Sequence, residues 1–267
     1  MKSSRSGSES LPTVKICDAH VHVGYFDRKG WDAPFYYSPR RICAVLKKCG
    51  VEEFVYSSTS MQVRGIVFKD VHREMREVKK LFGAGAHPFL WVTEAYLKED
   101  PTLSALDMGF YEGVKLHGLE TDWLNSFSTE LESVLSKAEI MRLPVMVHTC
   151  GLASSRPLNW LSHAQRHESI NFNFAHGCPI AEARICLREA RNVFVDTACM
   201  SDKDRLALCE AEVSDRILWG TDFPTLAAKV GDSRLTAAYR RSVEKIAKSQ
   251  RESFARTFHR YLKGSET

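Results

Sequence analysis

Apolar and β-branched residues gather in eight short runs along the chain, at 14–21, 53–57, 89–93, 113–116, 144–148, 171–175, 193–196 and 217–220. Within a run both parities are apolar, the pattern of strands buried on two faces, as in a parallel sheet covered by helices. Between the runs the period changes to that of helices. Ser38-Pro39 reads as a cap and first helical residue, with Gly50 as the stop. Thr129 and Glu132 form a capping box ahead of a stripe made by Leu131, Val134, Leu135, Ala138 and Met141. Pro179 opens another helix, Ser201 with Asp204 the next, and residues 234–261 read as one final helix.

Eight strand–helix units have two main solutions, a closed barrel or a doubly wound open sheet. The open sheet, in its dinucleotide-binding form, needs a G-x-G-x-x-G turn after its first strand. Here that position reads His20-Val21-His22-Val23-Gly24. The prediction is therefore an α/β fold of the (β/α)8 TIM-barrel type, a single domain over 13–263 after a polar tail at 1–12.

Composition narrows this picture only a little. A 44% hydrophobic and 26% charged chain can bury a large core. A net charge of +4 is too small to argue for nucleic acid, and the basic residues from Arg240 to Arg260 are broken by Glu244 and Glu252, as on a solvated helix face. The first ten residues lack the apolar stretch of a signal peptide, and no run reaches the ~18 apolar residues of a membrane span. The expectation is a cytoplasmic protein with a small-molecule substrate, no nucleic-acid or membrane partner, and homo-oligomerisation left open. Cysteines occur at 17, 43, 49, 150, 178, 186, 199 and 209 without a C-x-x-C pair, which predicts reduced thiols and no cysteine-only zinc site.

Candidate chemistry follows from position. His20 and His22 end the first strand, Lys115 and His117 the fourth, His148 the fifth, His176 the sixth and Asp222 the eighth. In a (β/α)8 barrel these C-terminal ends converge on one face, where active sites are built. Two residues apart on a strand, His20 and His22 point to the same side and can reach one ion. With His148 and Asp222 they make a three-imidazole, one-carboxylate set suited to zinc or another divalent transition metal. Asp222 would serve both as ligand and as general base. His176 would polarise a substrate oxygen or shuttle a proton. Lys115 is open to three readings: a cation for an anionic substrate, an interior ion-pair partner, or a carbamylated bridge to a second metal. His117 either touches substrate or is a satisfied polar residue. Arg156 is a candidate anchor for a substrate carboxylate, against a plain exposed or capping arginine. Trp31, Tyr36, Tyr37 and Trp123 either wall the pocket or simply pack. Cys150, Cys178 and Cys199 fall on the same face, as small fillers before nucleophiles.

The set resembles the amidohydrolase superfamily, and within it the amidohydrolase-related branch with aminocarboxymuconate semialdehyde decarboxylase-like enzymes and pyrone dicarboxylate lactonase-like hydrolases. The markers are Asp18-Ala-His20-Val-His22, Gly113-Val-Lys115-Leu-His117, Pro144-Val-Met-Val-His148, Ala175-His176-Gly177 and Gly220-Thr-Asp222-Phe-Pro224. The resemblance implies a mononuclear metal site of His20, His22, His148 and Asp222, with His176 as catalytic histidine. In binuclear relatives the histidine matched by His176 becomes a second ligand and a carbamylated lysine bridges. Three functions follow as expectations. The leading one is hydrolysis of an ester, lactone or amide of a small, carboxylate-bearing substrate through a metal-activated water. The others are nonoxidative decarboxylation of an unsaturated or aromatic acid, and a noncatalytic metal- or ligand-binding barrel.

Overall fold

The structure, a computed structural model, describes residues 15–26, 35–117, 129–151, 153–209, 214–225, 234–246 and 248–263. Trp31, Trp123 and the tail at 1–12 lie outside them. Nine strands form one sheet: β1 (Ile16–Phe26), β2 (Phe35–Tyr37), β3 (Val51–Ser58), β4 (Ala86–Val92), β5 (Gly113–Leu116), β6 (Val145–His148), β7 (Phe172–Ala175), β8 (Val193–Asp196) and β9 (Ile217–Leu218). Their order is β2-β1-β3-β4-β5-β6-β7-β8-β9, parallel throughout except for the β1–β2 pair. The helices are α1 (Pro39–Lys48), α2 (Phe68–Phe82), α3 (Glu94–Glu99), α4 (Ser104–Asp107), α5 (Thr129–Ile140), α6 (Pro157–Arg166), α7 (Ile180–Glu189), α8 (Asp202–Cys209), α9 (Leu235–Glu244) and α10 (Lys248–Leu262). The fold is thus mixed α/β, with a sheet so curled that its far end returns to its first strand. Ala19 N donates to Trp219 O at 2.8 Å, His22 N donates to Phe223 O at 2.7 Å, and Val21 bridges Phe223 in parallel.

Side chains on the two faces of the curl divide cleanly. Outward residues such as Phe54, Leu90, Val114, Val147, Phe174 and Val195 join one large apolar cluster with the helices. Inward residues Cys17, Ala19, Val55, Phe89, Met146, Phe194 and Leu218 form a second cluster, closed from below by Phe258 and Tyr261 of α10. The inner side therefore has an apolar floor. Above it the inward positions turn polar, with His20, His22, Lys115 and His148. β1 makes this change with one extra residue: Asp18 pairs Phe54 and Val21 pairs Tyr56, three steps against two. Such a bulge resets the alternation. Cys17 and Ala19 face inward below it, His20 and His22 face inward above it, and Val21 and Val23 turn out to the helices.

Three expectations are corrected here. The first strand does not stop at 21 but runs to Phe26, where it pairs antiparallel with an added strand, β2. Gly24 lies within β1. Its φ is +103°, and a Cβ there would come within 2.3 Å of Ser60 Oγ, so glycine is needed inside the strand. The region 234–261 is two helices, interrupted at Lys245–Ile246 with Ile246 buried, which lets α9 meet α1 while α10 turns under the sheet. The last strand spans only 217–218, and residues 219–222 continue as irregular backbone carrying Asp222. No helix among the described residues is long and apolar enough to cross a membrane.

Candidate metal centre

Above the apolar floor lies a cavity of about 210 Å³ whose lining includes His20, His22, Lys115, His148, His176 and Asp222. Six residues from five separate stretches of the chain meet there. His20 Nε2 is 3.1 Å from His22 Nε2 and 3.7 Å from Asp222 Oδ1, and His22 Nε2 is 3.0 Å from that same oxygen. Ligand bonds of 2.0–2.2 Å in a tetrahedral site put donors about 3.3–3.5 Å apart. The three donors already stand near that spacing. Two imidazole nitrogens and a carboxylate oxygen this close together can hold a cation between them, and the donor set suits a divalent transition metal.

The surrounding groups hold these donors in the forms a metal takes. Burial, followed by the nearby Lys115, brings His20 down to about 4. Burial, His176 and Lys115 hold His148 well below the usual imidazole range. Both rings are therefore neutral at neutral pH, the state that binds metal. Burial pushes Asp222 up, yet the His22 hydrogen bond and the imidazoles of His20, His22 and His176 outweigh it and hold the carboxyl well below its ordinary value. Lys115, fully buried, sits 3.4 Å from His20 Nε2.

His148 and His176 form a second pair. His148 Nε2 lies 2.7 Å from Cys150 O and His176 Nδ1 lies 3.2 Å from Ala198 O, so each outer nitrogen carries the proton donated to a carbonyl. The inner nitrogens, His148 Nδ1 and His176 Nε2, then face each other at 3.1 Å with lone pairs. Only a shared proton or a cation relieves that contact. Donor atoms of His20, His22 and Asp222 lie within 4.8 Å of one another, as do those of His176, Cys199 and Asp222, and those of His20, His176 and Asp196. His148 belongs to none of these groups; His176 stands between it and the rest.

His117 is buried and stacked between Trp91 and His148, with centroid distances of 5.3 and 4.0 Å. Arg156 is not brought to the cavity: it caps α6 with its backbone, and its guanidinium pairs with Glu182 of α7. Tyr37 is buried against Phe26 and Phe35, while Tyr36 is exposed, with its ring tilted against Tyr25 at a centroid distance of 4.6 Å. Cys150 and Cys199 line the cavity and all eight cysteines are free thiols.

Several supporting residues escaped the sequence reading. Asp196 ends β8; its Oδ1 accepts from His176 N and Ala198 N, and its Oδ2 accepts from Asn173 Nδ2 at 2.9 Å and lies 3.1 Å from His20 Nδ1. The strand-end rule that selected His148 and His176 applies to Asp196 equally. Asp18, inside the first marker motif, accepts through Oδ1 from His20 N and Thr221 N, and through Oδ2 from Thr221 Oγ1 and Tyr239 Oη. One buried carboxylate thus ties β1 to the Asp222 segment. Burial pushes Asp18 up to about 7 against the pull of those bonds. Ser57 Oγ meets His22 Nδ1 at 3.1 Å. Left-handed backbone recurs at His176, Cys199 and Asp222, with φ of 71°, 62° and 53°. Each such non-glycine residue costs about 1 kcal/mol or more, and the clustering at one site is the pattern of strain held for function.

A larger recess of about 1170 Å³ opens at the opposite end, beside α10 and the turns before β7, β8 and β9. Its charged groups serve the scaffold: Arg216 donates to the carbonyls of Leu187 and Ala190, and Arg260 to Asp215. The convergent chemistry is in the smaller cavity.

The curled sheet with this histidine–aspartate cluster has the features of an amidohydrolase. The amidohydrolase family model (Amidohydro_2) matches residues 97–257, more than half of the chain, and the protein belongs to that family. Among solved structures, an amidohydrolase from Burkholderia multivorans with bound zinc is 12% identical, with 94% of this chain and 100% of that one covered at a TM-score of 0.64. A candidate 2-pyrone-4,6-dicarboxylic acid hydrolase from Pseudomonas putida is 14% identical, covering 94% and 97% at 0.63. The 4-oxalomesaconate hydratase of Rhodopseudomonas palustris is 13% identical, covering 93% and 95% at 0.56. At such identities the likeness is one of fold. No curated protein matches the sequence.

Proposed function

We propose that this protein is a metal-dependent hydrolase on a (β/α)8 barrel, acting on an ester, lactone or amide bond of a small, carboxylate-bearing molecule. The observation that carries the reading is the triangle of His20 Nε2, His22 Nε2 and Asp222 Oδ1, with edges of 3.0–3.7 Å. These residues, with His148 nearby, would hold one divalent ion, zinc by donor type; a second ion bridged by carbamylated Lys115 is the binuclear variant. Bound there, such an ion supplies Lewis acidity and makes water acidic enough to ionise near neutral pH.

The chain's own groups supply the rest. Asp222, held ionised, is the acceptor for the proton of the attacking water. His176, backed by Asp196 through its backbone N–H and anchored at Nδ1 by Ala198 O, presents Nε2 to the cavity and can stabilise the developing oxyanion or carry the proton on. Lys115 offers a buried positive charge to a substrate carboxylate, a role supported by the dicarboxylic acid named for the Pseudomonas relative. The small cavity volume, below the ~300 Å³ of drug-sized sites, favours a compact substrate. Trp91 and Phe26 supply its aromatic wall.

Metal analysis and a panel of small lactones, esters and amides of dicarboxylic acids test this. Wild-type protein should hold tightly bound divalent metal, and His22→Asn should lose most of it. Asp222→Asn should stay folded by circular dichroism while turnover falls about 10²–10⁴-fold. Full metal retention in His22→Asn removes the triangle, and CO2 release without net acid release makes the enzyme a decarboxylase.

A further inference from the structure

Asp222 divides its oxygens. Oδ1 faces His20 and His22, while Oδ2 accepts from the Cys199 thiol at 3.4 Å. His176 closes a second group, with one donor atom each from His176, Cys199 and Asp222 inside 4.8 Å. Its Nδ1 is committed to Ala198 O, which leaves Nε2, the nitrogen already opposed to a second lone pair on His148. In a tetrahedral site with a metal–sulfur bond of about 2.3 Å and a metal–oxygen bond of 2.0–2.1 Å, sulfur and oxygen stand about 3.5 Å apart. The Sγ–Oδ2 separation matches that edge.

We infer that the cavity holds a second cation position beside the first, ligated by the Cys199 thiolate, His176 and Asp222, with Asp222 shared between the two; with that position filled, His176 Nε2 is a ligand and no longer a proton carrier. The inference rests on the metal reading above only through that shared carboxylate. As an ion enters, the S–H bond breaks, a sulfur–metal bond forms, and one proton per chain passes to solvent; no electron is transferred. With Sγ beside Asp222 Oδ2 and in reach of His176, Cys199 is placed as a ligand, since a coordinating cation deprotonates a thiol outright. A thiolate also makes this position softer than the His–His–Asp one, selective for zinc or cadmium over magnesium or manganese.

Cobalt(II) titration of the metal-free full-length protein tests it. Wild-type protein should take up two equivalents per chain. The second should bring a near-ultraviolet thiolate-to-cobalt charge-transfer band and release one more proton than Cys199→Ser does. Cys199→Ser keeps a small polar side chain on the same backbone; it should retain the visible bands of the first equivalent, lack the charge-transfer band, and bind the second at least about tenfold more weakly. Cys199→Ala should repeat the loss, and Cys150→Ser, the neighbouring thiol, should behave as wild type. A band that persists in Cys199→Ser, that vanishes only in Cys150→Ser, or that is absent from wild type at two equivalents overturns the proposal. Failure of the hydrolase reading looks different: a single equivalent giving the charge-transfer band, with Cys199→Ser binding no cobalt and His22→Asn binding normally.

Discussion

Glu53, at the floor of the sheet, allows a quantitative test of how the end opposite the site is held. Its Oε1 accepts from Lys15 Nζ at 3.0 Å and His259 Nε2 at 2.8 Å, and its Oε2 lies 3.3 Å from His87 Nε2. Burial raises this carboxyl, but the His259, Lys15 and His87 contacts prevail and bring it from 4.5 down to about 2. At about 1.4 kcal/mol per pH unit the interval corresponds to about 3 kcal/mol. Solvent screening around the half-exposed Lys15 lowers this to about 1.5–3 kcal/mol. The sign follows from linkage: a carboxyl depressed in the folded state contributes fully above its unfolded value, and the contribution disappears as pH falls from 4.5 toward 2. Glu53→Gln cannot ionise. In urea unfolding of metal-free protein, the gap between wild type and Glu53→Gln should be about 1.5–3 kcal/mol near pH 5.5 and close as pH drops toward 2.5. A gap below about 0.5 kcal/mol at pH 5.5, or one that does not change with pH, would refute the ionic account of this network.

Two further substitutions probe the links between floor, closure and site. Asp18→Asn presents an amide to Thr221 Oγ1 and Tyr239 Oη, which now donate to the carboxylate at 2.6 and 2.7 Å. Losing two hydrogen bonds should cost about 2–4 kcal/mol and lower the Tm by about 5–15 °C near pH 5, measured by calorimetry, and the gap should narrow as pH rises toward 7, where wild type alone must bury a charge; an unchanged Tm at pH 5 would show that Asp18 does not hold the ends of the sheet together. Phe258→Ala removes the α10 ring that is 1% exposed in the inner cluster. It should destabilise by about 3–5 kcal/mol in urea, and a loss under 1 kcal/mol would mean that α10 does not fill the floor.

The strand-end rule was the most productive signal in the sequence. It selected His20, His22, Lys115, His148, His176 and Asp222, all of which line one cavity. The apolar runs likewise mark the central strands, because a strand covered on both faces leaves a continuous hydrophobic trace. What escaped were features set by contact across the chain. The bulge between Asp18 and Val21 depends on pairing with β3. The break at Lys245–Ile246 depends on where α10 docks, since the helical period continues through it. Arg156 carried a plausible charge in a plausible loop, but Glu182 on the next helix takes it. Asp18 acts through backbone N–H groups and other side chains, and no spacing pattern reports such bonds, whereas Asp196 stands at a strand end and was within reach of the rule.

The tie between Asp18 and Thr221 spans 203 residues. His20 and His22 are therefore among the first site residues to leave the ribosome, yet they meet Asp222 only after nearly all of the intervening chain has been made. Contacts so distant in sequence are slow to form, because a long loop must be ordered before they return any stability. During synthesis the first strand has two imidazoles and no carboxylate opposite them. Under the proposed metal reading, tight uptake would belong to the completed fold, and its arrival in a refolding experiment would mark the moment when the two ends of the sheet have found each other.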